Sequence, residues 1–247
     1  GYGTFTPPED NYGYGTFERD AYGSYGSVEY RNGGTITIQN DGLVQAVVEG
    51  AELEPVIEPE GDIEPLIKII KMGSNAEVGL YGGYVDVNNQ SDVEAKVLNP
   101  EGYGDYASVD IYANGSYEGS DRYDWDEGEY DETMGDIEDG GSIDIRNSSN
   151  VLVQVINNGS AYIDLETEYI EGLPDDYVTY IPGEINILNN SSVVSTIGFD
   201  DSNTAEVDIN THELLIDSSD VKAESTNEDE YAHADVDIEV GNATINN

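Results

Sequence analysis

The chain has 247 residues, of which 53 are Asp or Glu and 8 are Lys or Arg, giving a formal net charge of −45. This balance excludes a nucleic-acid-binding surface, which needs basic side chains to follow phosphates, and it argues against docking on anionic lipid. Cysteine is absent, which excludes disulfides, thiolate metal sites and thiol catalysis. No apolar run approaches the roughly 20 residues of a membrane-spanning helix, so membrane insertion is not expected.

The apolar residues are those of β-structure. Ile (22) and Val (21) far outnumber Leu (11), and there are 19 Tyr and 28 Gly. Branched and aromatic side chains suit a pleated, half-buried surface. In dilute buffer the excess negative charges repel one another. Molar salt shortens the screening length to about 3 Å and so removes most of this repulsion. The composition therefore predicts an all-β protein adapted to high salt or divalent cations; the alternative is a merely acidic surface protein.

The amino-terminal segment, residues 1–26, is rich in Gly and Tyr and contains two near repeats, Gly1–Phe5 and Gly13–Phe17. Extended segments of this kind can add a strand to the open edge of a neighbouring sheet. We therefore predict that residues 1–26 are a donor strand, and the alternative is packing on the same domain. The candidate subunit-contact residues are Tyr2, Phe5, Tyr12, Tyr14 and Phe17.

A 13-residue pattern then recurs at residues 36–48, 85–97, 143–155 and 185–197. Each copy has two branched residues at alternate positions, an Asn, a spacer, Gly or Ser, and three more small or branched residues at alternate positions. Period-2 alternation predicts strands with one face on a core, and Asn-x-Gly/Ser favours a tight reversal. Each copy is thus interpreted as a hairpin, and residues 143–165 as a three-strand meander.

The copies are spaced unevenly, with their asparagines at 40, 89, 147 and 189. This disfavours a propeller, and the spacing is too long for the coils of a β-helix. We predict an antiparallel β-sandwich, jelly-roll or immunoglobulin-like, with strand exchange between subunits. We predict that residues 27–114 and 142–247 form two sandwich domains separated by an acidic, Gly-rich linker or insertion at 115–141. The alternative is one large sandwich over residues 27–247.

The acidic linker offers the best candidate for a cation site. Carboxylates at short spacing around a Gly suit Ca²⁺, although the positions do not match an EF-hand loop. The candidate ligands are Asp124, Asp126, Glu127, Asp131 and Glu132, and the alternative is a solvated acidic loop. No cofactor is required by any motif. No nucleophile elbow, phosphate loop or dinucleotide fingerprint occurs in the sequence, which predicts that the protein is not an enzyme.

The chain starts at Gly1, and this together with many Asn-x-Ser/Thr motifs favours an exported, cell-surface protein. The candidate glycosylation sites are Asn89, Asn114, Asn147, Asn158, Asn189, Asn190 and Asn242. Near the other end, residues 238–244 begin a further copy of the pattern. It is interpreted either as a final strand with a frayed tail or as a strand that pairs with another chain.

The segment Val85–Val97, with its Asn89-Gln-Ser91 turn, resembles the strand–turn–strand segments of camelysin-like biofilm-fibre subunits and archaeal bundling pilins. The resemblance covers the four repeat units and implies exported β-sandwich subunits that polymerise by donating an amino-terminal strand. Three functions follow as hypotheses. The first is a homopolymeric extracellular filament subunit of a pilus or biofilm fibre; the second is a monomeric adhesive module that binds glycans or calcium. The third is a secreted carbohydrate-active enzyme or viral spike.

Overall fold

A computed structural model describes residues 17–21, 24–49, 67–71, 73–98, 104–117, 137–167, 182–198, 203–225 and 232–246. These residues form strands and the short corners between them. The strands are β1 (Phe17–Ala21), β2 (Tyr25–Gln39), β3 (Leu43–Glu49), β4 (Ile67–Lys71), β5 (Asn75–Asn88), β6 (Asp92–Leu98), β7 (Asp105–Ala113), β8 (Ser116–Tyr117), β9 (Ile137–Asp139), β10 (Ser142–Arg146), β11 (Asn150–Val155), β12 (Gly159–Thr167), β13 (Glu184–Leu188), β14 (Ser192–Ile197), β15 (Thr204–Asp217), β16 (Asp220–Ser225) and β17 (His233–Asn246).

The prediction of an all-β fold is confirmed, but the predicted antiparallel β-sandwich is wrong. Every described strand pairing is parallel except the short β8–β9 pair. Six parallel strands close into a ring in the order β5–β10–β13–β15–β12–β7. A second sheet runs β16–β14–β11–β6–β3. The sequence pattern did not reveal this because alternation fixes which side of a strand is buried, not the direction of its neighbour.

The ring closes because β5 and β15 are long, and their two halves bond to different partners. The chain visits three faces in turn and then steps to the next level, which is the path of a parallel β-helix. The first face contains residues 25–32, 75–82, 105–113, 159–167, 204–210 and 233–240. The second face contains residues 35–39, 84–88, 142–146, 184–188, 213–217 and 242–246. The third face is formed by β3, β6, β11, β14 and β16.

From the uneven spacing of the repeats we predicted that the fold is not a β-helix, and that prediction is wrong. The length of the coils explains why. Ala76 pairs with Ala107, and Ala205 pairs with Ala234, so an uninterrupted coil takes about thirty residues. The other coils are longer because residues 50–66, 118–136 and 168–181 are inserted between faces. The strands on the two sides of residues 118–136 share sheets, since β7 pairs with β12 and β5 with β10.

The core is made of columns of equivalent side chains stacked from coil to coil. Along the first face, Val78, Val109, Ile163 and Val207 lie in register, and each is at most 1% exposed. The second face stacks Val87, Ile145, Ile187 and Ile216 in the same way. The predicted alternation of buried and exposed positions is therefore present, and burial of these columns supplies the main favourable free energy of the fold.

The Asn-x-Gly/Ser motif forms a corner between the second and third faces instead of a hairpin. In all four copies the Asn and the residue after it have φ between 55° and 63°. The peptide groups at these corners bond to the next coil, as when the Gln90 N–H donates to the Asn147 carbonyl at 3.1 Å. The hairpin interpretation and the meander at 143–165 are therefore wrong, since β10, β11 and β12 belong to three different faces.

Two polar ladders hold these corners together. The Asn147 amide donates to Asn88 Oδ1 at 2.7 Å, and the Asn189 amide donates to Asn147 Oδ1 at 3.0 Å. Beneath them, the Oγ of Ser91 accepts from the Gly42 N–H at 3.1 Å and donates to the Asn88 carbonyl at 2.7 Å. Such bonds satisfy main-chain groups that would otherwise be buried without partners. The small residue of the motif is therefore a structural part of the corner.

Candidate functional site: the outer first face and the two end coils

The outward side of the first face carries four columns of polar side chains. Because in-register parallel strands place equivalent residues about 4.8 Å apart, side chains of one kind accumulate in lines along the molecule. The most acidic column, here called the carboxylate column, contains Glu29, Asp110, Asp164, Asp208 and Asp237, with Gly79 between the first two. The flanking columns add further carboxylates at Glu77, Glu166, Glu206, Asp235 and Glu239.

These carboxylates perturb one another. Loss of hydration against the sheet raises the pKa of Asp164 to about 6, and the neighbouring charges of Glu166, Asp110 and Asp208 add to the effect. Desolvation also raises the pKa of Asp110, which accepts a hydrogen bond from the Ser108 hydroxyl at 3.4 Å. The pKa of Asp208 is raised by desolvation and by Asp237 and Asp235. The column therefore holds negative charge at a cost in free energy that protons or cations reduce.

Tyrosines lie beside the carboxylate column. The rings of Tyr106 and Tyr162 are 5.7 Å apart at an interplanar angle of 37°. The Arg31 guanidinium lies 4.6 Å from the centre of the Tyr81 ring, and the Tyr25 hydroxyl donates to Glu77 at 3.0 Å. Arg31 is the only Arg or Lys among the described strand residues of this face. The face therefore combines flat aromatic surface with a strong negative charge.

The other two outward faces differ because their described strands carry fewer carboxylates and several of these have basic partners. On the second face, Arg146 forms a two-pronged contact with Asp86, with both N···O distances at 3.0 Å. On the third face, Lys96 lies 2.7 Å from Glu94. Asn150 also donates to Asp92 at 2.8 Å. The uncompensated negative charge of the described strands is therefore concentrated on the first face.

The first coil exposes apolar side chains that interior coils bury. Val28 lies in the column of Val78, and Tyr30 lies in the column of Leu80. Val28 is 37% exposed and Tyr30 is 55% exposed, whereas Val78 and Leu80 are at most 1% exposed. Among the described residues, β2 pairs with β5 on one side and has no strand on the other. The outer edge of β2 therefore lacks a neighbouring strand among the described residues and lies next to exposed apolar side chains.

The opposite end has the same character. Within the described ranges, β17 pairs with β15 alone. Val236, Ile238 and Val240 continue the core columns of the first face but are only partly buried. Ile245 continues the column of Ile216 on the second face and is 64% exposed. In the part of the chain that the structure describes, both ends thus show the cross-section of a β-helix with no further coil against it.

Several residues predicted from the sequence lie outside the described ranges. They are the candidate calcium ligands Asp124, Asp126, Glu127, Asp131 and Glu132, and the candidate contacts Tyr2, Phe5, Tyr12 and Tyr14. Phe17 opens β1, which pairs in parallel with β4. No group of three or more His, Asp or Glu side chains within the described residues has the arrangement of a metal site.

The candidate glycosylation sites fall into distinct environments. Asn89, Asn147 and Asn189 lie at the exposed corners, where their side-chain amides donate to other asparagines. Asn158 is only 7% exposed, and its Oδ1 lies 3.4 Å from the Gly104 N–H that donates to it. Asn114 is partly buried directly after β7, and Asn190 and Asn242 are exposed.

Sequence reasoning missed the first face as a functional surface. Its repeat is shorter than the corner motif, with the form Ala-x-Val/Ile-Asp at residues 107–110, 161–164, 205–208 and 234–237. Aligning these four segments would have placed the aspartates in one column. The end coils could not be located in this way because edge exposure depends on how the coils stack.

Comparisons with known proteins leave the chain without an assigned family. No protein-family model, no curated protein and no solved structure matches it. Among the described residues there is also no helix with the length and hydropathy needed to span a bilayer.

Proposed function

We propose that the protein is a non-enzymatic structural subunit of an extracellular filament in which copies of the chain complete one another's sheet edges. The observation that carries this proposal is the pair of end coils, whose outer strands β2 and β17 each pair with a single strand among the described residues and expose core-column side chains. A heterologous contact between two different ends does not close, so it generates a linear polymer. The described part of the amino-terminal segment 1–26 pairs within the chain, with β1 on β4 and the start of β2 on β5, so the edge completed by another copy in this proposal is that of an end coil.

The charge of −45 sets the condition under which filaments form. Two like-charged subunits attract only when salt or cations shorten the range of their repulsion. This supports assembly in a salt-rich extracellular setting, where a carboxylate surface also keeps the polymer hydrated. The pKa values of Asp110, Asp164 and Asp208 are raised chiefly by desolvation, and the charges of neighbouring carboxylates add to each rise, so some repulsion is already present within a single subunit.

Electron microscopy and sedimentation velocity across 0.05 to 3 M NaCl, with and without CaCl₂, test the proposal. We expect filaments to appear as salt rises. Ile245→Lys, at the exposed end, should suppress them, whereas Ile156→Lys, at a 36%-exposed corner of an interior coil, should not. A chain that stays monomeric in every condition, or two variants that behave alike, would contradict the proposal.

A second candidate function is adhesion to glycans through the first face. The observation that favours it is the Tyr106–Tyr162 ring pair beside the carboxylate column, since flat rings next to hydrogen-bond acceptors suit sugar faces. Glycan-array binding that is lost in Tyr106→Ala and Tyr162→Ala but kept in Tyr25→Ala would support this function over the filament. If the native chain binds no glycan on the array, this second candidate function is contradicted.

A further inference from the structure

We infer that β17 of one copy pairs in parallel and in register with β2 of the next copy, so that the β-helix continues through the subunit junction. The inference rests on the proposed function, because it names the contact by which filament subunits join. According to this inference, each end coil binds the opposite end coil of a second copy of the chain. Three observations on the described residues support this choice: the column alignment, one charge pair, and the placement of the most exposed apolar residues.

The register of the junction follows from the register inside the chain. Each first-face strand pairs so that equivalent core residues lie in one column; Val28 is in the column of Val78, and Val236 is in the column of Val207. Continuing those columns places Val28 of one copy against Val236 of the other. It also places Tyr30 against Ile238. Side chains left exposed or partly exposed in a single copy then gain apolar neighbours.

The second face continues in the same register. Ile38 shares a column with Val87, and Ile245 shares one with Ile216, so the junction places Ile38 next to Ile245. In a single copy Ile38 is buried, with only 8% of its surface exposed, whereas Ile245 is 64% exposed. The junction therefore buries the most exposed isoleucine of the described chain against a core residue. On the outward side, Thr37 becomes the neighbour of Thr244.

The charges at the junction favour one partner and make assembly salt-dependent. In this register Arg31, which already forms an ion pair with Glu29 of its own chain, also lies beside Glu239 of the last coil of the neighbouring copy. Glu29 lies beside Asp237 and repels it. Opposite charges on adjacent strands stabilise pairing and like charges oppose it, with both effects weakened by salt. The Arg31–Glu239 contact therefore offsets part of the repulsion that this register creates between Glu29 and Asp237.

The inference fixes the dimensions of the filament. The first face has six stacked strands per chain, and neighbouring strands are about 4.8 Å apart. If the junction has the same spacing, the axial repeat per subunit is about 29 Å. Image reconstruction of the filaments measures this repeat, and a repeat far from that value would contradict a continuous stack.

Cysteine cross-linking tests the register, because the native chain has no cysteine and every disulfide is therefore engineered. Residues paired across adjacent strands have Cα separations that a disulfide can span. We expect an equal mixture of Thr37→Cys and Thr244→Cys filaments, oxidised and run without reductant, to yield covalent dimers. A mixture of Gln154→Cys, on the outward third face, with Thr244→Cys is the matched control and should yield at least about tenfold less dimer.

The outcomes separate the inference from the proposed function. Filaments in which the Thr37/Thr244 pair cross-links no better than the control would overturn the β17–β2 junction and leave the filament function intact. Absence of both filaments and cross-links at every salt concentration would overturn both. A charge reversal gives an independent check: Arg31→Glu and Glu239→Arg should each raise the salt needed for assembly, and a mixture of the two variants should lower it again.

Discussion

Asn147 shows how single residues stabilise a corner of this β-helix. Its φ is 58°, a left-handed conformation that Asn tolerates better than most residues. Its side chain donates to Asn88 and accepts from Asn189. The position therefore combines a backbone requirement with a link between three consecutive coils.

We expect Asn147→Ala to lower the free energy of unfolding by about 2 kcal/mol, from two lost side-chain hydrogen bonds and a left-handed Ala. Asn147→Gly loses the same bonds without the steric cost and should lose only about 1 kcal/mol. Urea denaturation in high salt measures both values. Equal losses in the two variants would show that the backbone conformation contributes nothing.

At Asp164 the pH dependence has a defined sign. A carboxyl whose pKa is raised to about 6 on folding binds more protons in the folded than in the unfolded state at intermediate pH. The folded state is therefore destabilised at pH 7, and stability is gained as the pH falls through about 6 towards the unfolded value near 4. Thermal unfolding at low salt should show a higher Tm at pH 5 than at pH 7.5.

Asp164→Asn removes the desolvated charge and its repulsion with neighbouring carboxylates, and should stabilise the protein at pH 7.5 by roughly 1 kcal/mol, allowing for partial solvent screening. It should also flatten the rise in Tm between pH 7.5 and pH 5. Asp217→Asn removes the same charge from the second face and serves as the control, with a smaller gain. A variant less stable than the native chain at pH 7.5 would refute the repulsive role of the carboxylate column.

At the level of the strand, stability depends on position within a column more than on residue type. Ile187 and Ile245 lie in one column of the second face, but Ile187 is 0% exposed and Ile245 is 64% exposed. Ile187→Ala should cost about 2–5 kcal/mol, because it leaves a cavity between stacked coils. Ile245→Ala should cost less than about 0.5 kcal/mol in the monomer.

Denaturation of both variants under monomeric conditions provides the measurement. Repeating it under assembly conditions adds information, since a junction that buries Ile245 makes Ile245→Ala weaken filaments while leaving the monomer nearly unchanged. Similar losses for both variants in the monomer would mean that Ile245 is covered by the chain itself. That result would also remove the open end on which the proposed function depends.

For the whole molecule, charge governs stability. A net charge of −45 repels over distances of about 10 Å at 0.1 M salt but only about 3 Å at 1 M. We expect the Tm of the monomeric Ile245→Lys variant to rise between 0.05 and 2 M NaCl. An equal osmolality of sucrose is the control for effects that do not involve charge. A Tm that is flat or falling in NaCl would contradict a fold limited by electrostatic repulsion.

The sequence by itself determined the β class, the alternation of buried and exposed residues, and the positions of the corners. Each of these depends on residues close together in the chain: Ile143 and Ile145 face the same side, and Asn147 and Ser149 favour a turn. The direction in which strands pair depends instead on contacts between residues tens of positions apart. Only the tertiary structure decided that the four copies stack in parallel, because that choice lies in which distant backbone groups bond to one another.

Contacts between residues far apart in the sequence also explain why the acidic face and the open ends could not be predicted. Asp110, Asp164 and Asp208 are separated by more than forty residues in sequence, and they form one column only because three coils stack in register. The exposure of Tyr30 and Ile245 likewise depends on which strand edges the described coils leave free. Local sequence specified the units of this protein, and the stacking of those units in space created its acidic face and its open ends.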